Sequence, residues 1–275
     1  CTEQMTYQAD LFLIEYFLDK FKEKGLNRPM RVGCIGWDNP YGRSCVEPAV
    51  AYLEKTRPEE IEFTDVLWVP LLAMDYTTEL TLIKAHNPDM IFFGGDGCSA
   101  GVIVRDAARV GISRDVIIGI DQGAMAEGGM KMGGAEMDRA YVSMGWYTFL
   151  EDVPGWRLDK ELQMKYHGKI ISTSTERLMP QLALATLFEA IKRALDKVGY
   201  ENLTGEAIIK YGYSTIKDFG GEWGAPISFT DYPGDRVGHE SLRILRYNLE
   251  KKNWLPLTDF IPARPIPEID KVIGY

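Results

Sequence analysis

Three short apolar runs in this chain each end in side chains able to hold a small molecule. Residues 32–36 lead into Trp37-Asp38-Asn39-Pro40-Tyr41-Gly42, residues 91–95 into Asp96-Gly97-Cys98-Ser99, and residues 116–120 into Asp121-Gln122-Gly123. Two carboxylates a few Å apart repel each other until a positive group relieves them. An ammonium or guanidinium does so through charge-assisted hydrogen bonds. The chemistry expected of Asp96 and Asp121 is therefore capture of a positively charged nitrogen. Tyr41 reads as a ligand contact, against the plainer role of a turn residue packing on its own helix. Trp37 either stacks on a ligand or lines the rim. Asn39 divides evenly between ligand contact and helix cap, while Asp38 leans to turn former or cap. Asp96 can cap the following helix as well as bind. The helix start at Gly97 and Cys98 could instead hold a carboxylate, and Gln122 beside Asp121 completes the candidate set.

Other chemistries find little support. His86, His167 and His239 are far apart and carry no partner pattern. No GxSxG, P-loop or HExxH motif occurs, and Gly94-Gly95-Asp96-Gly97 is not a GxGxxG fingerprint and follows the third strand rather than the first. The cysteines, Cys1, Cys34, Cys45 and Cys98, show no metal-binding or CxxC spacing, and Cys34 reads as a small buried apolar residue. Cys1 reads equally as a lipid-attachment point and as an arbitrary chain start. The glycines at 128–129 and 133–134, amid methionines from Met125 to Met137, read as a flexible loop, and Asn202-Leu203-Thr204 as an incidental sequon. The expectation is a protein without cofactor, metal or enzymatic activity. The chain has 275 residues, 45% hydrophobic and 26% charged, with a net charge of -9. That suits a globular protein and excludes a nucleic-acid partner, which calls for a basic stripe. No apolar run reaches the roughly 18 residues needed to cross a membrane, and no leader peptide is visible.

The elements that must position these groups alternate regularly. The pattern predicts helix 8–24, strand 30–36, helix 42–56, strand 61–69, helix 75–86, strand 89–94, helix 98–111, strand 115–120, a turn or helix at 122–130 and strand 139–147. Such alternation with short Gly, Pro and Asn joints builds a parallel sheet covered on both faces. Its carboxyl edge is where ligands bind. After residue 150 the pattern changes to helices at 157–166, 180–198 and 204–210. A strand at 226–230, a hairpin over 241–260 and an extended, proline-bearing tail from 261 to 269 are expected to follow. The helices of 151–240 have apolar faces and no sheet of their own to cover.

Taken together, the chain resembles the type I periplasmic binding proteins, specifically the branched-chain amino-acid (Leu/Ile/Val) binding family of ABC transporters. The resemblance rests on Asp38-Asn39-Pro40-Tyr41-Gly42, Asn87-Pro88-Asp89-Met90-Ile91, Gly94-Gly95 with its helix to Ala108-Arg109-Val110-Gly111, Gly119-Ile120-Asp121-Gln122-Gly123, Glu189-Ala190-Ile191-Lys192-Arg193-Ala194-Leu195 and Pro226-Ile227-Ser228-Phe229-Thr230. It implies an α/β fold: one complete periplasmic-binding-protein type I lobe with helices on both sheet faces, plus an incomplete second lobe, joined by hinge crossings. The implied division is 1–148 as the complete ligand-binding lobe, 149–238 as the partial lobe, 239–262 as strands returning to the first, and 263–275 as a tail. The resemblance places the family's ligand contacts at Tyr41, Asp96 and Asp121, the last taking an amino group. Asp96 departs from the Tyr common in amino-acid binders, and Leu178-Met179 stand where the family usually has a Tyr. It also implies an extracytoplasmic solute-binding protein that works by hinge closure, with a small-molecule ligand and an ABC permease as partners. The alternative is a ligand-sensing domain of a receptor.

Overall fold

The computed structural model describes residues 6–229, 238 and 241–274. Cys1, Thr230 and His239 lie outside the described residues. The chain divides into two compact units.

The unit that carries the candidate residues comprises Thr6–Met144, Arg243–Asp259 and Glu268–Tyr275. Its chain order is α1 (Thr6–Glu23), β1 (Met30–Trp37), α2 (Pro40–Thr56), β2 (Ile61–Val69), α3 (Thr77–Ala85), β3 (Met90–Gly94), α4 (Ser99–Arg109), β4 (Ile117–Ile120), α5 (Glu127–Gly133) and β5 (Ala140–Met144). The sheet runs β2-β1-β3-β4-β5, all parallel, and continues into antiparallel β6 (Ser241–Asn248) and β7 (Asn253–Pro256). The doubly covered parallel sheet read from the alternation is the one found. β3 is buried at every position, as a strand between two helical layers must be. The α1 stripe Leu11, Leu13, Ile14, Leu18 is completely covered. Ser143 Oγ donates to the Ala9 carbonyl and ties α1 to β5.

Two local readings are corrected. The glycine and methionine stretch 125–137 is not a flexible loop: it forms a 3-10 turn (Gln122–Met125), α5 and a second 3-10 turn, with Met125, Met130 and Met137 buried. Its glycines permit close packing rather than mobility. A Cβ on Gly101 of α4 would lie 1.7 Å from the Gly129 carbonyl oxygen, so the two helices touch backbone to backbone. The proline-bearing end is not extended throughout either, since Ile266–Ile273 forms a helix after a two-residue strand at Ile261–Pro262. Pro267 falls in the first helical turn, where its missing N–H costs nothing. Within this unit the Tyr7 hydroxyl donates to Asp270, and Lys55 Nζ donates to the Val272 carbonyl.

The other unit comprises Gly145–Leu242 and Phe260–Pro267 among its described parts. It contains α6 (Pro154–His167), α7 (Leu178–Val198) and α8 (Gly205–Ala207), which runs on as a π turn (Ile208–Gly212). Trp156 is its buried centre; the indole donates to the Tyr147 carbonyl and stands edge-on to Phe149. The strand expected at 226–230 is absent from the described part of that segment, which makes a single bridge between Phe219 and Ile227. Asp218 and Gly220, with φ of 50° and 83°, bend the backbone on either side of Phe219, and the Phe229 amide donates instead to the Ile216 carbonyl at 3.0 Å. Leu158, Leu184 and Phe188 keep apolar surface exposed on α6 and α7.

Candidate functional site

Each of the three strand ends is held by a local device. After β1, Asn39 caps α2 by accepting from the Gly42 amide at 2.8 Å, which turns the chain so that Tyr41 leaves the first helical turn. After β3, Gly97 takes a positive φ of 66° and its amide donates to the Gly123 carbonyl at 2.9 Å, which sets Asp96 beside the β4 loop. After β4, Asp121 caps its own turn by accepting from the Gly123 amide at 2.9 Å.

The three side chains converge on Gly123. A Cβ there would fall 2.5 Å from Tyr41 Oη, 3.0 Å from Asp121 Oδ2 and 3.1 Å from Asp96 Oδ1, so only glycine leaves them room. The Tyr41 hydroxyl donates to Asp121 Oδ2 at 2.6 Å. Asp96 is exposed, Tyr41 half-buried and Asp121 fully covered. The site is thus layered: a solvent-facing carboxylate and a phenol in front, a buried carboxylate behind. The remaining candidates are placed differently. Trp37 is buried and its indole donates to the Tyr76 hydroxyl at 3.3 Å. Asn39 spends its side-chain oxygen on the cap. Cys98 precedes α4 without a side-chain cap bond and Gly97 is half-buried beside it, while Gln122 is buried next to Asp121. Asp38 pairs with Arg43 at 2.7 Å. His86 pairs with Asp65, and His167 lies in the last turn of α6 in the other unit.

Two members of the constellation were not singled out from the sequence. Asp10 of α1 and Cys45 of α2 are buried, and Asp10, Cys45 and Asp121 each offer a donor atom within 4.8 Å of the others. A signal for Asp10 did exist. It stands at the head of the apolar stripe Leu13, Ile14, Phe17, Leu18 and Phe21, on the face that an acid should avoid.

Burial dominates the electrostatics. It pushes Asp121 from 3.8 up to about 6, against the hydrogen bonds from Tyr41 and Gly123, and the Asp96 charge pushes the same way. Burial also raises Asp10 well above the usual carboxylate range, with the Asp121 charge adding to it and a bond to Cys45 opposing. The Tyr41 phenol is pushed up by burial and by the Asp121 charge, so it stays a donor. Removing that donor has a predictable consequence. In Tyr41→Phe the Asp121 carboxylate loses a stabilising bond, and its titration midpoint should move upward from about 6. Side-chain carboxyl NMR across a pH series checks this; an unmoved midpoint would show that the phenol does not support the carboxylate.

The comparisons with known proteins agree with this architecture. A family model described as periplasmic binding protein matches residues 12–251. No curated protein sequence matches the chain. A branched chain amino acid ABC transporter protein from Thermus thermophilus, solved with bound valine, is 22% identical with a TM-score of 0.78, over 97% of this chain and 67% of that one. A fatty acid ABC transporter substrate-binding protein from Thermomonospora curvata is 14% identical with a TM-score of 0.78, over 100% of this chain and 66% of that one. An ABC transporter substrate-binding protein from Aeropyrum pernix is 17% identical with a TM-score of 0.75, over 99% and 68% of the two chains. The chain therefore spans about two thirds of the length of these structures, and at such identities the likeness is one of fold. The family match covers most of the sequence, and with it the loops that carry Tyr41, Asp96 and Asp121: the chain belongs to the periplasmic binding proteins, a family that binds substrates rather than transforming them.

Proposed function

We propose that this chain is the ligand-binding component of an ABC-type uptake system, acting outside the cytoplasm and handing its ligand to a membrane permease. Its ligand is a small polar molecule with a protonated nitrogen, such as an amino acid or a related amine. The observation that carries this reading is the convergence of Tyr41, Asp96 and Asp121 around Gly123. Asp96 faces solvent, and the negative charge of Asp121 lies directly behind the Tyr41 hydroxyl. An ammonium group at Asp96 and Tyr41 relieves the repulsion between the two acids, which adds to the larger effect of burial in raising Asp121. A ligand carrying only a carboxylate would meet like charge here and bind poorly. The valine bound to the Thermus thermophilus structure supports an amino compound. The fatty-acid protein from Thermomonospora curvata shows that the fold alone does not choose the ligand class.

The test is a thermal-shift screen of amino acids, diamines and their uncharged amide or alcohol analogues, since a ligand that binds the native state raises its stability. Amines should shift the midpoint and their neutral analogues should not, with the shift lost in Asp96→Asn. Equal shifts from charged and neutral forms, or a response confined to carboxylic acids, would refute the reading.

A further inference from the structure

Asp10, Asp106, Asp121 and Asp159 are all almost completely covered, at 1%, 0%, 0% and 1% exposure. Two of them are compensated. Asp106 accepts from Arg105 at 2.8 Å and from Arg109 at 3.1 Å. Asp159 accepts from Arg177 at 2.9 Å and from the amides of Gln163 and Gln181. The other two lie side by side instead. Among the described residues Asp10 Oδ2 and Asp121 Oδ1 are buried with no hydrogen-bond partner, and the carboxyl groups share a pocket of protein with the Cys45 sulfur.

The groups that face this pair among the described residues come from several elements. They are Cys45 and Tyr41 of α2, Cys34 of β1, Asp96 of the β3–α4 loop and the backbone amides of Gln122 and Gly123. None of these is basic. Two adjacent carboxylates in such a setting do not both remain ionised; one charge is removed by a proton or both are met by a cation. A metal ion needs an entry path and deprotonated ligands. Here all three donors are sealed, at 0–1% exposure, and the thiol of Cys45 is engaged with Asp10. A proton needs neither, and it provides the missing partner for an orphaned oxygen.

We propose that Asp10, Cys45 and Asp121 form a buried proton-holding cluster that carries one negative charge at neutral pH, with Asp10 as the neutral acid and Asp121 as the carboxylate. Asp10 does not touch the ligand; it is a positioning residue that keeps the remaining charge on the side of Tyr41. Its relevance to amine capture rests on the function proposed above, but the cluster itself does not. When Asp10 ionises, its proton passes to solvent. Asp121 accepts from the Tyr41 hydroxyl and the Gly123 amide, which favour its charged form, while burial and the Asp121 charge favour the neutral form of Asp10, so the proton stays on Asp10.

Infrared spectroscopy of the full chain, without any ligand, tests this directly. At neutral pH the spectrum should show the carbonyl stretch of a protonated carboxylic acid. The band should vanish in Asp10→Asn and persist in Asp121→Asn. If Asp10→Asn does not fold, the wild type and Asp121→Asn still decide the matter. Absence of the band from the wild type at neutral pH would overturn the proposal, as would its loss in Asp121→Asn. So would stoichiometric uptake of Zn²⁺ that abolishes the band, which would mark a metal site instead. Because no ligand is used, a negative amine screen leaves this result standing, and a missing band leaves the amine screen standing.

Discussion

Replacing Asp121 with Asn should make the protein more stable at neutral pH and a poorer binder of amines. Asp121 is covered on all sides, and its carboxyl titrates at about 6 in place of 3.8 because burial disfavours the ionised form. The folded form therefore holds the proton more tightly than the unfolded chain does. It follows that this group's contribution is most favourable below the ordinary carboxylate range, declines as pH rises from 3.8 to about 6, and is level above that. Each tenfold gain in proton affinity corresponds to about 1.4 kcal/mol, so the ionised carboxylate costs the fold about 3 kcal/mol at neutral pH. Asn keeps an oxygen for the Tyr41 hydroxyl and the Gly123 amide while removing the charge. Urea unfolding at neutral pH should show Asp121→Asn more stable by up to about 3 kcal/mol, with the difference vanishing near pH 4. Amine affinity should fall at least about tenfold, the scale of a hydrogen-bonded charge removed from behind the ligand. A variant less stable than wild type at neutral pH would show that the carboxylate is better solvated than its surroundings indicate. Loss of binding with gain of stability is the expected signature of a functional group held at a cost to the fold.

The second large effect is structural. Gly101→Ala should destabilise the protein by about 3 kcal/mol or more, at the upper end of overpacking in a close-packed interior. Helix propensity argues the other way, since alanine in a helix interior gains about 1 kcal/mol over glycine. The clash decides the sign. The new methyl carbon would sit 1.7 Å from the Gly129 carbonyl oxygen and 2.8 Å from the Gly133 amide nitrogen, both backbone atoms that cannot rotate away. α4 and α5 would have to separate, and with them the Asp96 and Gly123 loops at their starts. Urea unfolding measures the loss; a neutral or stabilising substitution would show that the two helices are not in backbone contact.

The strand ends were legible in the sequence because their signals are local. A short apolar run, a glycine pair and an acid lie within about ten residues of one another, and that is enough to place Tyr41, Asp96 and Asp121 at one sheet edge. The β2 bounds, 61–69, came out as read for the same reason. The helix at Ile266–Ile273 was missed because prolines mark both an extended tail and a helix start. The weights given to Trp37 and Asn39 could not be settled locally either. Which way a side chain turns at a strand end depends on what packs there, and for Trp37 it is the Tyr76 hydroxyl.

By itself the sequence determined the order of the elements, the parallel sheet and the edge at which polar side chains gather, since hydrophobic periodicity and turn residues act over a few positions. Only the tertiary structure decided that Tyr41 closes over Asp121, that α4 and α5 meet at their glycines, and that Asp10 arrives from α1 to lie against a carboxylate far along the chain. The physical reason is range. Periodicity is a property of neighbours in sequence, whereas the burial that shifts a carboxyl group is set by whatever the fold brings against it.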